Sequence, residues 1–146
     1  MILNRQKPEY SEHIGEKDYC VTLKLSNLLF EKNSAVVIPT CTTFDTTMYD
    51  GFINKESIQG QFQKKFYNNK LEELDKLLQT SLDEKYGGNY KTLTDRTHSK
   101  SKRYPIGSVA KITTNGTHYY FLAMSNVSAK GKPENVTMES ITQALV

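Results

Sequence analysis

The feature that constrains this chain most is a short apolar run followed by a hydroxyl-rich segment. Residues 35–38 are Ala-Val-Val-Ile, and Pro39 closes the run. A strand covered on both faces loses the alternation of polar and apolar positions, so this run predicts a buried strand. Residues 40–47 are mostly threonine and predict a polar loop.

A helix is predicted immediately after this loop, over residues 55–68. Asn54 is a suitable N-cap, and Ile53 before it is placed to pack on Ile58. A strand, a hydroxyl-rich loop and a helix N-terminus together form a common phosphate site. We therefore expect a phosphate-bearing ligand at this place.

Three glutamines and a glycine on this helix allow two explanations each. Gln59, Gln61 and Gln63 lie off the apolar stripe. Solvent exposure is the simpler expectation for Gln63, whereas exposure and a ligand contact are equally expected for Gln59. Gly60 costs about 1 kcal/mol relative to Ala inside a helix. Its missing side chain is explained either by close packing or by a ligand.

Bulk properties favour one small soluble domain. The chain has 146 residues and a net charge of +3, which is too small to predict nucleic-acid binding. It contains no apolar run near the ~20 residues of a membrane helix and no secretory signal. Cys20 and Cys41 lack metal spacing, so we expect free thiols, no metal and a cytoplasmic location. Residues 1–16 are polar and predict a lead-in, with the domain over residues 17–146.

Other segments have clear local patterns. Residues 19–25 predict a strand, and residues 71–85 predict a leucine-striped helix that Gly87 ends. Asn115-Gly116 between two strand-like runs predicts a type I′ hairpin, whose second strand is apolar enough to be central. A last helix begins near residues 136–138 and ends on Leu145-Val146 without a cap. We expect the domain to continue beyond it, the alternative being a frayed terminal helix.

Residues 89–103 have no periodicity but are basic. The cations and histidine there are Arg96, His98, Lys100, Lys102 and Arg103. A solvated loop is the simpler expectation, and an electrostatic contact with phosphates or RNA is the alternative.

Several motifs together resemble a known family, the divergent macro domain of Thoeris antiphage-defence effectors of the ThsA type. The resemblance extends over roughly residues 19–146 and is strongest in residues 23–29, 36–46 and 53–62. Its most specific part is Thr43-Phe44-Asp45-Thr46 followed by Ser57-Ile58-Gln59-Gly60-Gln61-Phe62.

The resemblance implies a three-layer α/β/α macro fold with a mixed sheet, here incomplete at its C-terminal end. It also implies a crevice for an ADP-ribose-like nucleotide, no further cofactor, and a signal made from NAD by a TIR-domain enzyme. A linked effector, often a pair of membrane helices, would lie outside this chain. Homo-oligomerisation is left open.

The resemblance also implies which residues meet the ligand. Ser26-Asn27 stands where ordinary macro domains have Gly-Asp, and residues 39–42 replace their Asn-Ala-Ala-Asn. The expected ligand residues are Asn27, Thr40, Thr42, Thr43, Phe44, Asp45, Thr46, Ser57, Gln59 and Gly60. A non-catalytic sensor is the leading interpretation. The alternatives are an ADP-ribosyl hydrolase, for which Asp45 lacks a catalytic partner, and a basic interaction module using residues 96–103.

Overall fold

A computed structural model describes residues 9–16, 18–31, 34–48, 52–96, 99–128, 131–134 and 136–145. The chain forms two compact units, one ending at Glu31 and the other starting at Lys32. Residues 1–8 of the predicted lead-in, His98 of the basic segment and Val146 lie outside the described residues.

The N-terminal unit is a β-hairpin followed by a short 3-10 turn. Strand β1 (Glu9–His13) pairs antiparallel with β2 (Cys20–Lys24), and Leu28–Phe30 form the turn. Part of the predicted lead-in is therefore a strand. Its sequence indicated no strand because only Tyr10 among its five residues is a large apolar side chain. Strand β2 agrees with the predicted strand, and its apolar row is exposed.

The second unit is built on a mixed sheet. Its strands are β3 (Ala35–Cys41), β6 (Val109–Thr114), β7 (Thr117–Val127) and β8 (Pro133–Glu134). Strand β7 lies between β3, which is parallel to it, and β6, which is antiparallel, while β8 pairs with its last residues. The central position predicted for β7 is confirmed. The turn between β6 and β7 has φ values of 50° at Asn115 and 76° at Gly116, as a type I′ turn requires.

Three helices pack on this sheet. They are α1 (Ile58–Phe66), α2 (Leu71–Tyr86) and α3 (Met138–Leu145), which contact β3, β6 and β7 respectively. Phe62 of α1 is fully buried, with ring centroids 4.7 Å from Tyr119 and 5.3 Å from Phe121. The predicted leucine stripe of α2 is confirmed for Leu74, Leu78 and Leu82, which are buried, and Gly87 follows the last helical residue, but Leu77 is 39% exposed.

Strand β3 departs from the sequence prediction on one face. Val36, Ile38 and Thr40 are buried, but the alternating Val37 is 48% exposed. The prediction that both faces are covered is therefore wrong. Val36, Ile38 and Thr40 share the buried face of β3, while Val37 lies on the opposite face, which is left exposed.

A separate two-stranded ribbon joins α2 to the main sheet. It pairs β4 (Lys91–Thr92) with β5 (Lys102–Arg103) in antiparallel fashion. Arg96 and Lys100, which lie between these strands in the sequence, contact Asp45 in the polar loop after β3. Within the described part of the chain, no helix has the length and apolar character needed to cross a membrane.

Candidate functional site

A groove of about 600 Å³ lies beside the carboxyl ends of β3 and β7 and the start of α1. The two strands are parallel neighbours, so their carboxyl ends meet at the same edge of the sheet. This edge is where open α/β sheets commonly bind ligands. The polar lining consists of Thr40, Cys41, Asn54, Ser57, Gln59, Ser125 and Lys132. Phe52, Ile53, Met124, Val127, Val136 and Ile141 belong to the apolar lining.

The start of α1 is built by two consecutive polar turns. Asn54 Oδ1 accepts a hydrogen bond from the Glu56 N–H at 2.9 Å, closing a turn before the helix. Ser57 Oγ then accepts from the Gly60 N–H at 3.0 Å and donates to the Asn54 carbonyl at 2.7 Å. The predicted N-cap, Asn54, is therefore wrong by three residues, because its side chain caps the separate turn and Ser57 caps the helix.

Gly60 is required by a backbone contact. A Cβ at this position would collide with the carbonyl oxygen of Asn54 and would lie 2.9 Å from the Cα of Lys55. Of the two explanations predicted for this glycine, the structure supports close packing. Gly60 lines a different cavity of about 380 Å³, with Gln63 and Tyr67, and does not line the groove.

The threonine loop lies mostly beneath the groove rather than in it. Thr42 Oγ1 donates to Asn126 Oδ1 at 3.2 Å, and Thr46 Oγ1 donates to Asp75 Oδ1 at 2.6 Å. The ring of Phe44 is fully buried and forms a T-shaped pair with the ring of Tyr104. These residues hold the loop in place, and their side chains do not line the groove.

The loop amides are also partly used within the protein. The Thr42 N–H donates to the Ser125 carbonyl at 2.9 Å, and the Phe44 N–H donates to the Cys41 carbonyl at 3.0 Å. These two amides are therefore taken up by backbone hydrogen bonds. In contrast, the hydroxyl of Thr40 is buried and has no hydrogen-bond partner.

Of the ligand residues expected from the sequence, the groove brings together Thr40, Ser57 and Gln59. Asn27 belongs to the N-terminal unit, where its Oδ1 accepts from the Leu29 N–H at 3.1 Å.

Two of the three helix glutamines are buried and fix the loop. Gln59 Nε2 donates to the Asp45 carbonyl at 2.7 Å, and Gln63 Nε2 donates to the Thr46 carbonyl. Gln59 is 4% exposed and Gln63 is fully buried, whereas Gln61 is exposed. Exposure, the simpler expectation for Gln63, is therefore wrong, and Gln59 is buried rather than exposed. Their face of α1 packs on the loop backbone, whose carbonyl oxygens need buried donors.

The most unexpected contact is made by Arg96. Its Nη2 lies 2.9 Å from Asp45 Oδ2, and its Nη1 donates to Thr43 Oγ1 at 3.0 Å. Both charged side chains are almost completely buried, with exposed fractions of 0% and 2%. Asp45 Oδ1 further accepts from the Lys100 N–H at 2.9 Å. The prediction of a solvated loop is therefore wrong for Arg96, because an acidic residue buried in the threonine loop binds it.

The other cations of this segment are also engaged within the chain. Lys100 Nζ lies 2.6 Å from Asp75, Lys102 Nζ lies 3.7 Å from Asp83, and Arg103 Nη2 donates to the Val127 carbonyl at 2.8 Å. Because these cations contact other groups of the same chain, the structure does not support the interpretation of this segment as a basic interaction module. The sequence contained one clue to the pairing, since an acidic residue in an otherwise neutral loop needs a cation when it is buried.

Most of the groove lining was not among the ligand residues expected from the sequence, including Phe52, Asn54, Ser125 and Lys132. Lys132 follows Gly131 in the turn after β7. Their position could have been found by combining two predictions. The loop after β7 reaches the same sheet edge as the loop after β3 only if the two strands are parallel, which their separate patterns did not show.

A search of curated protein sequences finds no significant match. A family model described as the macro domain of the Thoeris protein ThsA matches residues 21–146. The match includes all but the first residue of β2, the mixed sheet, the helices and every groove-lining residue named above. The chain therefore belongs to the family of Thoeris ThsA macro domains, and its α/β fold is that of a macro domain.

Proposed function

We propose that the groove binds an ADP-ribose-derived nucleotide and that the domain acts as a non-catalytic sensor of it. The observation that carries this proposal is the position of the groove, where two parallel strands end against the start of α1. Its volume of about 600 Å³ lies in the usual range for small-molecule sites, roughly 300–1,000 Å³.

The diphosphate belongs at the start of α1. The first turn of a helix carries a partial positive charge and attracts anions. Ser57 and Gln59 place this turn in the groove wall, and Lys132 adds a full positive charge from the facing turn. These groups supply the positive potential that a diphosphate needs.

The remaining lining suits a nucleoside. Thr40, Asn54 and Ser125 offer hydroxyl and amide groups for ribose hydroxyls. Met124, Val136 and Ile141 offer apolar surface against which a base can pack. A nucleotide with a diphosphate bridge matches this division better than a small anion or a purely apolar ligand.

The alternative of an ADP-ribosyl hydrolase finds no carboxylate or imidazole among the described residues that line the groove. Asp45, the acidic residue singled out in the sequence, is 2% exposed and paired with Arg96. A catalytic base must reach its proton within hydrogen-bond distance, and a carboxylate in this position does not reach the groove.

The proposal also assigns the biological context. The signal would come from a TIR-domain enzyme that acts on NAD, and binding would be passed to an effector joined to this domain. Family membership supports this context.

Isothermal titration calorimetry with ADP-ribose tests the proposal. We expect micromolar or tighter binding, with the ligand recovered intact by chromatography afterwards.

Lys132→Glu should weaken binding strongly because it reverses a charge in the groove. Lys111→Glu, an exposed change on β6 outside the groove, should leave affinity unchanged. Absence of binding, or equal effects of the two variants, would overturn the site, and recovery of cleaved ligand would overturn the non-catalytic role.

A further inference from the structure

Two walls of the groove depend on one side chain that does not line it. Phe52 and Gln59 both line the groove, and both are connected to Arg96. The guanidinium carbon of Arg96 lies 5.5 Å from the centroid of the Phe52 ring. The same guanidinium bonds Asp45, whose carbonyl accepts the Gln59 side chain.

Phe52 also connects Arg96 to the turn after β7, which forms another side of the groove. A Cβ on Gly131 would lie 2.7 Å from two ring carbons of Phe52 and closer still to a third. The ring therefore lies directly against the Gly131 backbone, in the turn that carries Lys132. Arg96 thus supports a chain of contacts from the threonine loop to the turn after β7.

We propose that Arg96 is a positioning residue for the groove, fixing Phe52 and the Asp45–Gln59 contact in the geometry that accepts a nucleotide. This inference rests on the proposed function for its ligand but not for its geometry. Arginine suits the role because its planar guanidinium stacks on an aromatic ring while its N–H groups bind two oxygen acceptors.

Arg96→Lys is the informative variant. Lysine keeps the charge beside Asp45, but its ammonium group cannot bind Thr43 and Asp45 in fork geometry and also stack on Phe52. The groove walls then become ordered only when the ligand binds, and ordering costs affinity. We expect ADP-ribose to bind about tenfold more weakly or worse, in a protein that still unfolds cooperatively.

A core variant separates positioning from general destabilisation. Leu78→Ala leaves a cavity under α2, where Leu78 is fully buried and does not line the groove. We expect it to lower the melting temperature without changing nucleotide affinity.

A double variant tests whether Arg96 acts through Phe52. Phe52→Leu should weaken binding, and the combination with Arg96→Lys should weaken binding by less than the product of the two single effects.

A second readout needs no ligand. The chain contains no tryptophan, so Phe52→Trp introduces a single indole into the groove wall. We expect acrylamide to quench this fluorescence more strongly when Arg96→Lys is also present, because the wall is no longer held. Increased quenching together with absent nucleotide binding would refute the proposed function and keep the positioning role. Unchanged quenching, or unchanged affinity in Arg96→Lys, would overturn the positioning role.

Discussion

The side-chain nitrogen of Gln59 donates a hydrogen bond of 2.7 Å to the carbonyl oxygen of Asp45. This contact ties the first turn of α1 to the loop after β3, two segments that the sequence separates by 14 residues. The loop and the helix start are therefore one structural unit at the edge of the groove.

Gln59→Glu tests this contact directly. The substitution keeps the size of the side chain but replaces a donor by a carboxylate that faces a carbonyl oxygen. We expect it to lower the free energy of unfolding by at least about 2 kcal/mol, measured by urea titration. Gln61→Glu, on the exposed face of the same helix, should change it by less than about 0.5 kcal/mol. Equal effects of the two variants would contradict the buried contact.

Asp45→Asn is expected to destabilise the protein strongly. It leaves the buried guanidinium of Arg96 without its counter-charge, which typically costs about 3–5 kcal/mol. Asp83→Asn breaks the exposed pair with Lys102 and should cost no more than about 1 kcal/mol. The melting temperatures of the two variants provide the comparison, and a mild effect of Asp45→Asn would show that the pair is solvated.

Gly60→Ala should destabilise the protein although alanine favours helices. The helix preference amounts to about 1 kcal/mol, but the new Cβ would collide with the backbone of Asn54 and Lys55. We expect a net loss of about 1–3 kcal/mol on unfolding by denaturant. Gly88→Ala meets no atom within 4 Å and should be neutral or slightly stabilising. A stabilising Gly60→Ala would refute the close approach.

Gly131→Ala should affect the groove as well as stability. Gly131 and Gly116 share the same φ of +76°, but an added Cβ meets the Phe52 ring at Gly131 and open space at Gly116. Gly116→Ala is therefore a matched control for backbone strain, which costs about 1–2 kcal/mol. We expect only Gly131→Ala to weaken ADP-ribose binding in calorimetry, because it displaces Phe52. If the two variants bound ADP-ribose with equal affinity, the position of the Phe52 ring would have no effect on binding.

The parts of the fold that depend on residues close together in the sequence could be predicted from it. Asn115-Gly116 determines its own turn, and the leucines of α2 determine a helix, because both patterns act within a few residues. The choice between Asn54 and Ser57 as helix cap was not predictable in this way. Both residue types are good caps, and the backbone turn that packs against Gly60 decides between them.

Contacts across long stretches of sequence were the ones that prediction missed. The pairing of Arg96 with Asp45 joins residues 51 positions apart, and basic residues near it gave no indication which one is buried. The same applies to Gln63, whose buried amide bonds a loop carbonyl 17 positions away. The polar loop followed by a helix start could be expected from local pattern, but the groove walls could not.

The two glutamine contacts also determine how the peptide dipoles of the loop are oriented. The peptide bonds after Asp45 and Thr46 are trans, so each N–H points opposite to its C=O. Since both carbonyls point toward α1, the amide hydrogens of Thr46 and Thr47 point away from it. Under the proposed function, the attraction for an anion at the helix start would therefore come from the first turn of α1 and from Lys132 rather than from these two amides.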